Sequence, residues 1–289
     1  MANTQALKSR IRSVKSTKQI TKAMQLVAAS KMRRAQEATK ASSPYTDAAR
    51  ELLANLSKHA SVKGHPLFTQ RPVASRLIIV IASDRGLAGA FNSNLTRLYA
   101  QELMNDSKQG VKNTTITVGR KAAQFVARLK DTTVLGSYQD LPDRPDSVAL
   151  QAILESARQL FVSGEVDAVD IVYTDYVSSV VQKAVVQRVL PAGADIEVPA
   201  HPSVDVIYEP SVRAVLDGVV HRLVGAQLYQ AFLESRASEY SMRMMAMKNA
   251  TDNASDLIDD LALAMNKARQ AAITQEISEI SGGVEALND

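Results

Sequence analysis

The stretch from Met247 to Ala271, MKNATDNASDLIDDLALAMNKARQA, decides the fold because its apolar residues recur at alternating steps of three and four. This heptad spacing predicts one helix packed against another along a narrow seam. The predicted seam residues are Met247, Ala250, Ala254, Leu257, Leu261, Ala264, Ala268 and Ala271. No proline follows Pro210, and no glycine lies between Gly225 and Gly282. The sequence therefore predicts a single long helix over residues 211–287.

The other end of the chain supplies the expected partner for this helix. Residues 1–43 contain no proline or glycine, and an apolar stripe that includes Ile11, Val14 and Ala28 predicts a long N-terminal helix over residues 1–58, ended or bent near Pro44. Residues 1–40 carry ten lysines and arginines and one acid, whereas residues 250–289 carry eight acids and two basic residues. Opposite charges favour pairing, and two terminal helices joined through a domain most simply pair antiparallel.

The middle of the chain alternates strands with helices. A linker is predicted over residues 59–75 and an α/β domain with a mainly parallel, Rossmann-like sheet over residues 76–210. The predicted strands cover residues 77–82, 115–118, 133–135, 168–175, 184–190 and 204–208, and the helices between them pass through Leu95–Leu103, 121–129 and 147–162. The predicted fold class is thus α/β, with a long coiled coil formed by the two terminal helices.

Composition and motifs exclude several classes of protein. The chain has no cysteine, which excludes disulfides, thiolate zinc sites and cysteine nucleophiles. It has no run of eighteen apolar residues, so no membrane-spanning helix is expected. The four histidines do not have metal-ligand spacing, and neither GxGxxG nor GxxxxGK[ST] occurs. We therefore expect no catalytic residue, no metal and no bound cofactor.

Two features have more than one interpretation. The turn from Gly86 to Gly89 follows a strand and opens a helix, so it is either a βα turn that needs glycine or a phosphate site of a nucleotide-using enzyme. The basic first helix could bind nucleic acid, sit in an acidic protein sleeve or simply be solvated. It has no aromatic stacking residue, which argues against nucleic acid. Its composition also matches a mitochondrial transit peptide, but its apolar stripe is longer than such a presequence.

Several motifs together carry a resemblance to a known family. In chain order, these motifs are the segments 18–24 (KQITKAM) and 26–32 (LVAASKM), the turn Ser83, Asp84, Arg85, Gly86, Leu87, the pair Ser238-Glu239, and the segments 243–247 (RMMAM), 250–254 (ATDNA) and 266–277 (NKARQAAITQEI). These motifs, in this order, resemble those of the γ subunit of the F-type ATP synthase. The family commonly has Cys-Gly-Gly after this turn, whereas this chain has Ala88-Gly89-Ala90. It also lacks the cysteine-bearing insertion of chloroplast relatives, which favours a bacterial origin.

The resemblance implies a non-catalytic rotor shaft that binds no nucleotide. Its coiled coil would stand inside a ring of α and β subunits, and its α/β domain would contact the ε subunit and the membrane c-ring on the cytoplasmic face of the inner membrane. Proton flow would then be coupled to ATP synthesis by rotation. The residues implied to contact the ring are Met24, Arg243, Arg269, Gln270, Thr274 and Glu276.

The end of the C-terminal helix departs from the seam. Gln275 and Ser278 occupy the next seam positions, whereas Ile273, Ile277, Ile280 and Val284 form a stripe displaced by two residues. This displacement predicts an apolar face turned toward a surrounding sleeve, with a frayed end that packs locally as the alternative.

Overall fold

The computed structural model describes residues 2–58, 65–129, 132–144, 147–193, 209 and 212–285. The chain forms two compact units. One, here called the two-helix unit, is Met1–Ala28 with Arg243–Asp289, and the other, the α/β unit, is Ala29–Met242. The elements in chain order are α1 (Ala2–Lys58), a 3-10 turn (Pro66–Phe68), β1 (Ser75–Ile81), α2 (Phe91–Gln109), β2 (Lys112–Val118), α3 (Arg120–Val126), β3 (Thr133–Tyr138), α4 (Ser147–Ser163), β4 (Ala168–Tyr176), β5 (Gln182–Leu190) and α5 (Val212–Glu285).

The α/β unit is built on one sheet with strand order β3-β2-β1-β4-β5. The first four strands in this order pair in parallel, and β5 pairs antiparallel with β4. Strand β1 is buried almost throughout, as expected for a strand covered on both faces. The predicted α/β fold with a mainly parallel sheet and long terminal helices is therefore confirmed.

Two apolar cores cover the two faces of the sheet. Alternate residues of β1 point to opposite faces, so Ile78 and Val80 join a core with α2 and α3, while Leu77 and Ile79 join the larger core. That larger core contains residues from α4, the end of α1 and the start of α5, including Phe161, Leu53 and Leu223. The first part of α5 is thus held on the sheet by apolar burial.

A buried charge cluster links four elements of the α/β unit. Arg76 of β1 donates to Asp106 and Glu102 of α2, at 3.0 and 2.8 Å, and also to Asp170 of β4. Arg188 of β5 donates to Asp170 at 2.8 Å. Since these charges are hydrogen-bonded to one another, the cluster satisfies its buried groups within the fold.

The two-helix unit contains the seam, in a register that differs in part from the predicted one. The residues Ile11, Val14, Ala28, Met247, Ala250, Ala254, Leu261 and Ala268 are buried or half-buried. Leu257, however, is 45% exposed, and Ala264 and Ala271 are exposed as well, so the prediction was wrong for these three residues. Ile258, Met265 and Ala272 are half-buried in their place. Across the seam, Thr251 Oγ1 lies 2.8 Å from Thr21 Oγ1.

The register error has a physical reason. From Met247 the seam advances by four and then three residues, whereas we expected three and then four. At all three disputed places the sequence offers two adjacent apolar residues: Leu257 with Ile258, Ala264 with Met265, and Ala271 with Ala272. Apolar character alone could not choose between the members of each pair.

The remaining predictions concern where helices, strands and domains begin and end. Helix α1 continues through Pro44, so this proline does not end the helix. The strand predicted over residues 204–208 lies outside the residues that the structure describes, and so do residues 59–64 of the predicted linker. The predicted domain boundaries stay a prediction.

Candidate functional site

The family-signature turn closes the carboxyl end of β1. Ser83 is fully buried, and its hydroxyl donates to the Arg85 carbonyl at 2.8 Å and accepts from Asn92 Nδ2 at 2.8 Å. Asn92 Oδ1 in turn accepts from the Ser83 N–H at 3.2 Å. The turn is therefore fixed to the first turn of α2 by side-chain hydrogen bonds rather than by a bound group.

Asp84 joins this turn to three other segments. Its Oδ1 accepts from the backbone N–H groups of Arg120 and Asp140 at 3.1 and 3.0 Å, and its Oδ2 accepts from Arg236 Nη2 of α5 at 3.2 Å. Burial raises the pKa of this carboxyl, but the two backbone donors and Arg236 outweigh burial and hold the pKa of Asp84 below its ordinary value. Asp84 is thus an ionised group that ties the ends of β1, β2 and β3 to the long helix.

The sequence suggested that this turn needs glycine at both Gly86 and Gly89, but only Gly89 adopts a backbone conformation that favours glycine. Gly89 has a φ of +55°, which favours glycine, but Gly86 does not lie in the left-handed region, and a Cβ there would meet nothing within 4 Å. Leu87 instead adopts a φ of +62° and is 63% exposed. The close approach lies at Gly119, where a Cβ would stand 2.2 Å from the Ala82 carbonyl oxygen.

Helix α5 occupies the place where a Rossmann-like fold usually binds its ligand. In doubly wound sheets that place is the crevice beyond the carboxyl ends of the strands, where the strand order reverses. Here the reversal falls between β1 and β4. Ser235 Oγ donates to the Ile81 carbonyl of β1 at 3.3 Å, and Ser238 Oγ donates to the Thr174 carbonyl of β4 at 3.2 Å. The crevice is filled by the chain's own helix.

A third serine on the same side of α5 continues this pattern. Ser241 Oγ donates to the Ser179 carbonyl at 2.7 Å and accepts from Gln182 Nε2 at 3.2 Å. We call Ser235, Ser238 and Ser241 the serine ladder. All three serines are buried, and their spacing of three residues places them on one side of the helix, about one turn apart.

Arg236 brings charge to the same contact. Besides Asp84, its guanidinium donates to the Leu141 carbonyl at 3.0 Å and to Glu239 at 2.9 Å, and it lies 5.0 Å from the centre of the Phe232 ring. The side chains of Arg236 and Glu239 are 8% and 4% exposed. Burying such a charged pair carries a desolvation penalty. Here the additional hydrogen bonds of Arg236 offset part of this penalty and fix the geometry of the pair.

The part of α1 in the α/β unit is held to the same region. Lys31 Nζ lies 3.2 Å from Asp143 Oδ2 and 5.2 Å from the centre of the Tyr240 ring, and the Tyr240 hydroxyl donates to Asp143. Burial raises the pKa of Asp143, but the contacts with Tyr240 and Lys31 outweigh burial and hold the pKa below its ordinary value. Gln36 donates to the Tyr176 hydroxyl at the end of β4.

The residues predicted to contact a ring lie in the two-helix unit. Met24 and Arg243 are half-buried, whereas Arg269, Gln270, Thr274 and Glu276 are exposed along one stretch of α5. Thr274 Oγ1 donates to the Gln270 carbonyl at 3.0 Å. In the same stretch Ile273, Ile277 and Ile280 are 48%, 61% and 68% exposed, so their apolar side chains are available to a partner.

Within the described ranges, no group of three or more His, Cys, Asp or Glu side chains is placed to hold a metal ion. No described helix is both long enough and apolar enough to cross a membrane.

The sequence marked Ser238, with Glu239, only by resemblance, and it did not predict a role for Ser235, Ser241 or Arg236. Buried serines at intervals of three have the same spacing as a solvated helix face, so their pattern gives no distinct signal. The other available signal was their position directly before Arg243 and the predicted seam.

Comparisons with known proteins agree on one family. The ATP synthase family matches residues 3–287 of the chain. The ATP synthase gamma chain of Stenotrophomonas maltophilia (strain R551-3) is 40% identical over 99% of this chain and 100% of its own length. The ATP synthase gamma chain of Xanthomonas campestris pv. campestris (strain B100) is 41% identical with the same coverage.

A solved structure shares the fold. A chain in the cryo-EM structure of the Euglena gracilis mitochondrial ATP synthase, OSCP/F1/c-ring, in rotational state 3, superposes with a TM-score of 0.69 at 21% identity. The match covers 99% of this chain and 95% of that chain.

Proposed function

The chain belongs to the ATP synthase gamma chain family, and we propose from this premise that it is the central rotor shaft of a bacterial F-type ATP synthase. The observation that carries the proposal is the end-to-end match to relatives that bear this name. Both long helices and the whole α/β unit fall within that match.

The shaft would work by mechanical coupling. The two-helix unit would stand inside the ring of α and β subunits, and its faces differ, since the exposed isoleucines and the polar residues occupy different positions on α5. Each β subunit would then meet a different face of the shaft. Turning the shaft would shift each nucleotide site in sequence between tight and open states, because a contact that differs between two states shifts their equilibrium.

The polar contacts to the ring would come from one group of residues. We assign this role to Arg243, Arg269, Gln270, Thr274 and Glu276, and we propose that Met24 lies at the collar of the ring, opposite Arg243. The exposure of Arg269, Gln270, Thr274 and Glu276 along one stretch of α5 supports the assignment.

The chain itself would not be catalytic and would not bind nucleotide. Helix α5 fills the crevice in which this kind of sheet usually holds a ligand, through Ser235 and Ser238. The α/β unit would instead serve as the base of the shaft. Its partners would be the ε subunit and the c-ring, at the cytoplasmic face of the bacterial inner membrane, where the chain would be peripheral.

Affinity purification of the tagged chain from native membranes in mild detergent tests this function. We expect α, β, ε and c subunits to co-purify, together with ATPase activity that the purified chain lacks. Purification of the chain without α and β subunits would contradict the proposal. Binding of ATP to the chain alone at micromolar concentrations, measured by calorimetry, would contradict the non-nucleotide part of it.

A further inference from the structure

We propose that the serine ladder and the Arg236–Asp84 pair form the joint through which torque passes between the α/β unit and helix α5. This inference rests on the proposed rotor function, because a joint of this kind has work to do only if the base and the shaft turn as one. The joint consists of positioning residues and takes no part in the chemistry of ATP.

Within the α/β unit, helix α5 divides into an apolar segment and a polar segment. From Leu216 to Phe232 the helix contributes to the large apolar core, and from Ser235 to Ser241 its contacts with the sheet include directional hydrogen bonds. Apolar packing is non-directional and tolerates small shifts of one surface over another. The polar segment therefore adds resistance to rotation and sliding that the apolar segment does not supply.

The groups that accept the hydrogen bonds of the serine ladder belong to the backbone. The ladder serines bond to the backbone carbonyls of Ile81, Thr174 and Ser179, and two of these carbonyls belong to strands β1 and β4 in the sheet. Backbone in a sheet cannot follow a moving helix as a long side chain could. A rotation of α5 about its axis would break all three bonds together.

The charged pair Arg236–Asp84 also fixes the position of α5. Arg236 Nη2 is shared between Asp84 and the Leu141 carbonyl, and Asp84 is itself held by two backbone N–H groups. A displacement of α5 would separate the buried guanidinium from both the Asp84 carboxylate and the Leu141 carbonyl, and breaking a buried charge pair carries a penalty. The charged pair thus resists motion of the helix in either direction along its axis.

The experiment uses the complete synthase reconstituted in vesicles from complexes that carry the chain. The test variant is the triple substitution Ser235→Ala, Ser238→Ala and Ser241→Ala. The matched control is Ser93→Ala, Ser156→Ala and Ser163→Ala, since each of these hydroxyls bonds only to a carbonyl three or four residues earlier or to a nearby side chain. Protons pumped per ATP hydrolysed are measured at zero gradient and against an increasing proton gradient.

We expect the test variant to match the native ratio at zero gradient and to fall at least twofold below it against a steep gradient, because a weakened joint slips only under load. The control should follow the native chain at every gradient. A purely structural role would lower thermal stability or assembly without this dependence on load. A native ratio at all gradients would overturn the proposal.

Two safeguards keep the test decisive. If the triple variant does not assemble, the single variant Ser241→Ala is compared with Ser156→Ala by the same load series, and an equal response of the two would overturn the joint. If the native chain itself does not restore pumping to a complex that lacks this subunit, the proposed rotor function fails. If the native chain restores pumping and the joint variants behave like it, only the present inference fails.

Discussion

At the scale of single residues, Asp84 connects most of the features that set this chain apart. It belongs to the signature turn, accepts hydrogen bonds from the segments that follow β2 and β3, and meets Arg236 of α5. Its side chain is 11% exposed, so its charge is partly shielded from solvent and depends on these donors. The turn therefore acts as a structural connector between these segments.

The depressed pKa of Asp84 gives a pH-dependent prediction. A carboxyl whose pKa is lower in the folded than in the unfolded chain stabilises the fold above its unfolded pKa, and this contribution is lost as the pH falls through the folded pKa. Asp84→Asn should lower the free energy of unfolding by about 2 kcal/mol near neutral pH, since a bond to a charged group is lost. The difference from the native chain should shrink as the pH falls below about 4.

Urea unfolding followed by circular dichroism at several pH values measures this difference. The pKa of Asp143 is also depressed, so both chains retain some loss of stability in acid, and the difference between them isolates Asp84. A difference that stays constant or grows toward acid pH would show that Asp84 is not stabilised as an anion.

Sequence analysis located the signature turn but not the role of each of its residues. The motif marked Ser83 to Leu87 by resemblance, yet the partners of Asp84 lie 36, 56 and 152 positions away along the chain. Only the fold brings such distant groups together. An arginine on a helix, such as Arg236, is expected from the sequence to be exposed to solvent, and only the packing around it shows otherwise.

At the scale of elements, the heptad pattern predicted the helices better than it predicted their contacts. Proline-free and glycine-free stretches identified α1 and α5, because nothing in them interrupts the helical hydrogen bonds. Even Pro44 lies within α1, which shows that the tertiary contacts of Ala49 and Leu53 outweigh one lost hydrogen bond. The choice between Leu257 and Ile258 needed the structure.

The observed register predicts unequal effects at these two neighbouring positions. Ile258→Ala should destabilise the two-helix unit by about 1–2 kcal/mol, because a half-buried seam side chain is truncated. Leu257→Ala should cost less than about 0.5 kcal/mol in the isolated chain, since Leu257 is largely exposed. Thermal unfolding of the isolated chain, followed by circular dichroism, compares the two. A larger loss of stability for Leu257→Ala would instead support the register predicted from the sequence, in which Leu257 lies in the seam.

The exposed stretch of α5 gives a second prediction for this element. The double substitution Arg269→Ala and Gln270→Ala should leave the isolated chain folded, because both residues are exposed and lie off the seam. If they contact the β subunits, coupled ATP synthesis by the assembled complex should fall severalfold. The matched control is Lys248→Ala and Asn249→Ala, which are exposed on the same helix. Unchanged synthesis in the test variant would remove Arg269 and Gln270 from the contact surface.

At the scale of the whole molecule, the central idea is a shaft and a base made from one chain. The two long helices contribute to both compact units. The charge of the chain is strongly divided, with a basic start and an acidic end. The sequence predicted this organisation because long helices and charge patterns are local properties, whereas the filled crevice is a property of the assembled fold.

Rotation of the chain within its ring is the most direct measurement of that idea. The chain has no cysteine, so Gln101→Cys on the exposed side of α2 gives a single attachment point for an optical probe. With the α and β subunits fixed to a surface, ATP should drive the probe in full turns in one direction, stopping when ATP is removed. A probe that does not turn, or that moves back and forth without net direction while the ring hydrolyses ATP, would contradict the rotor function.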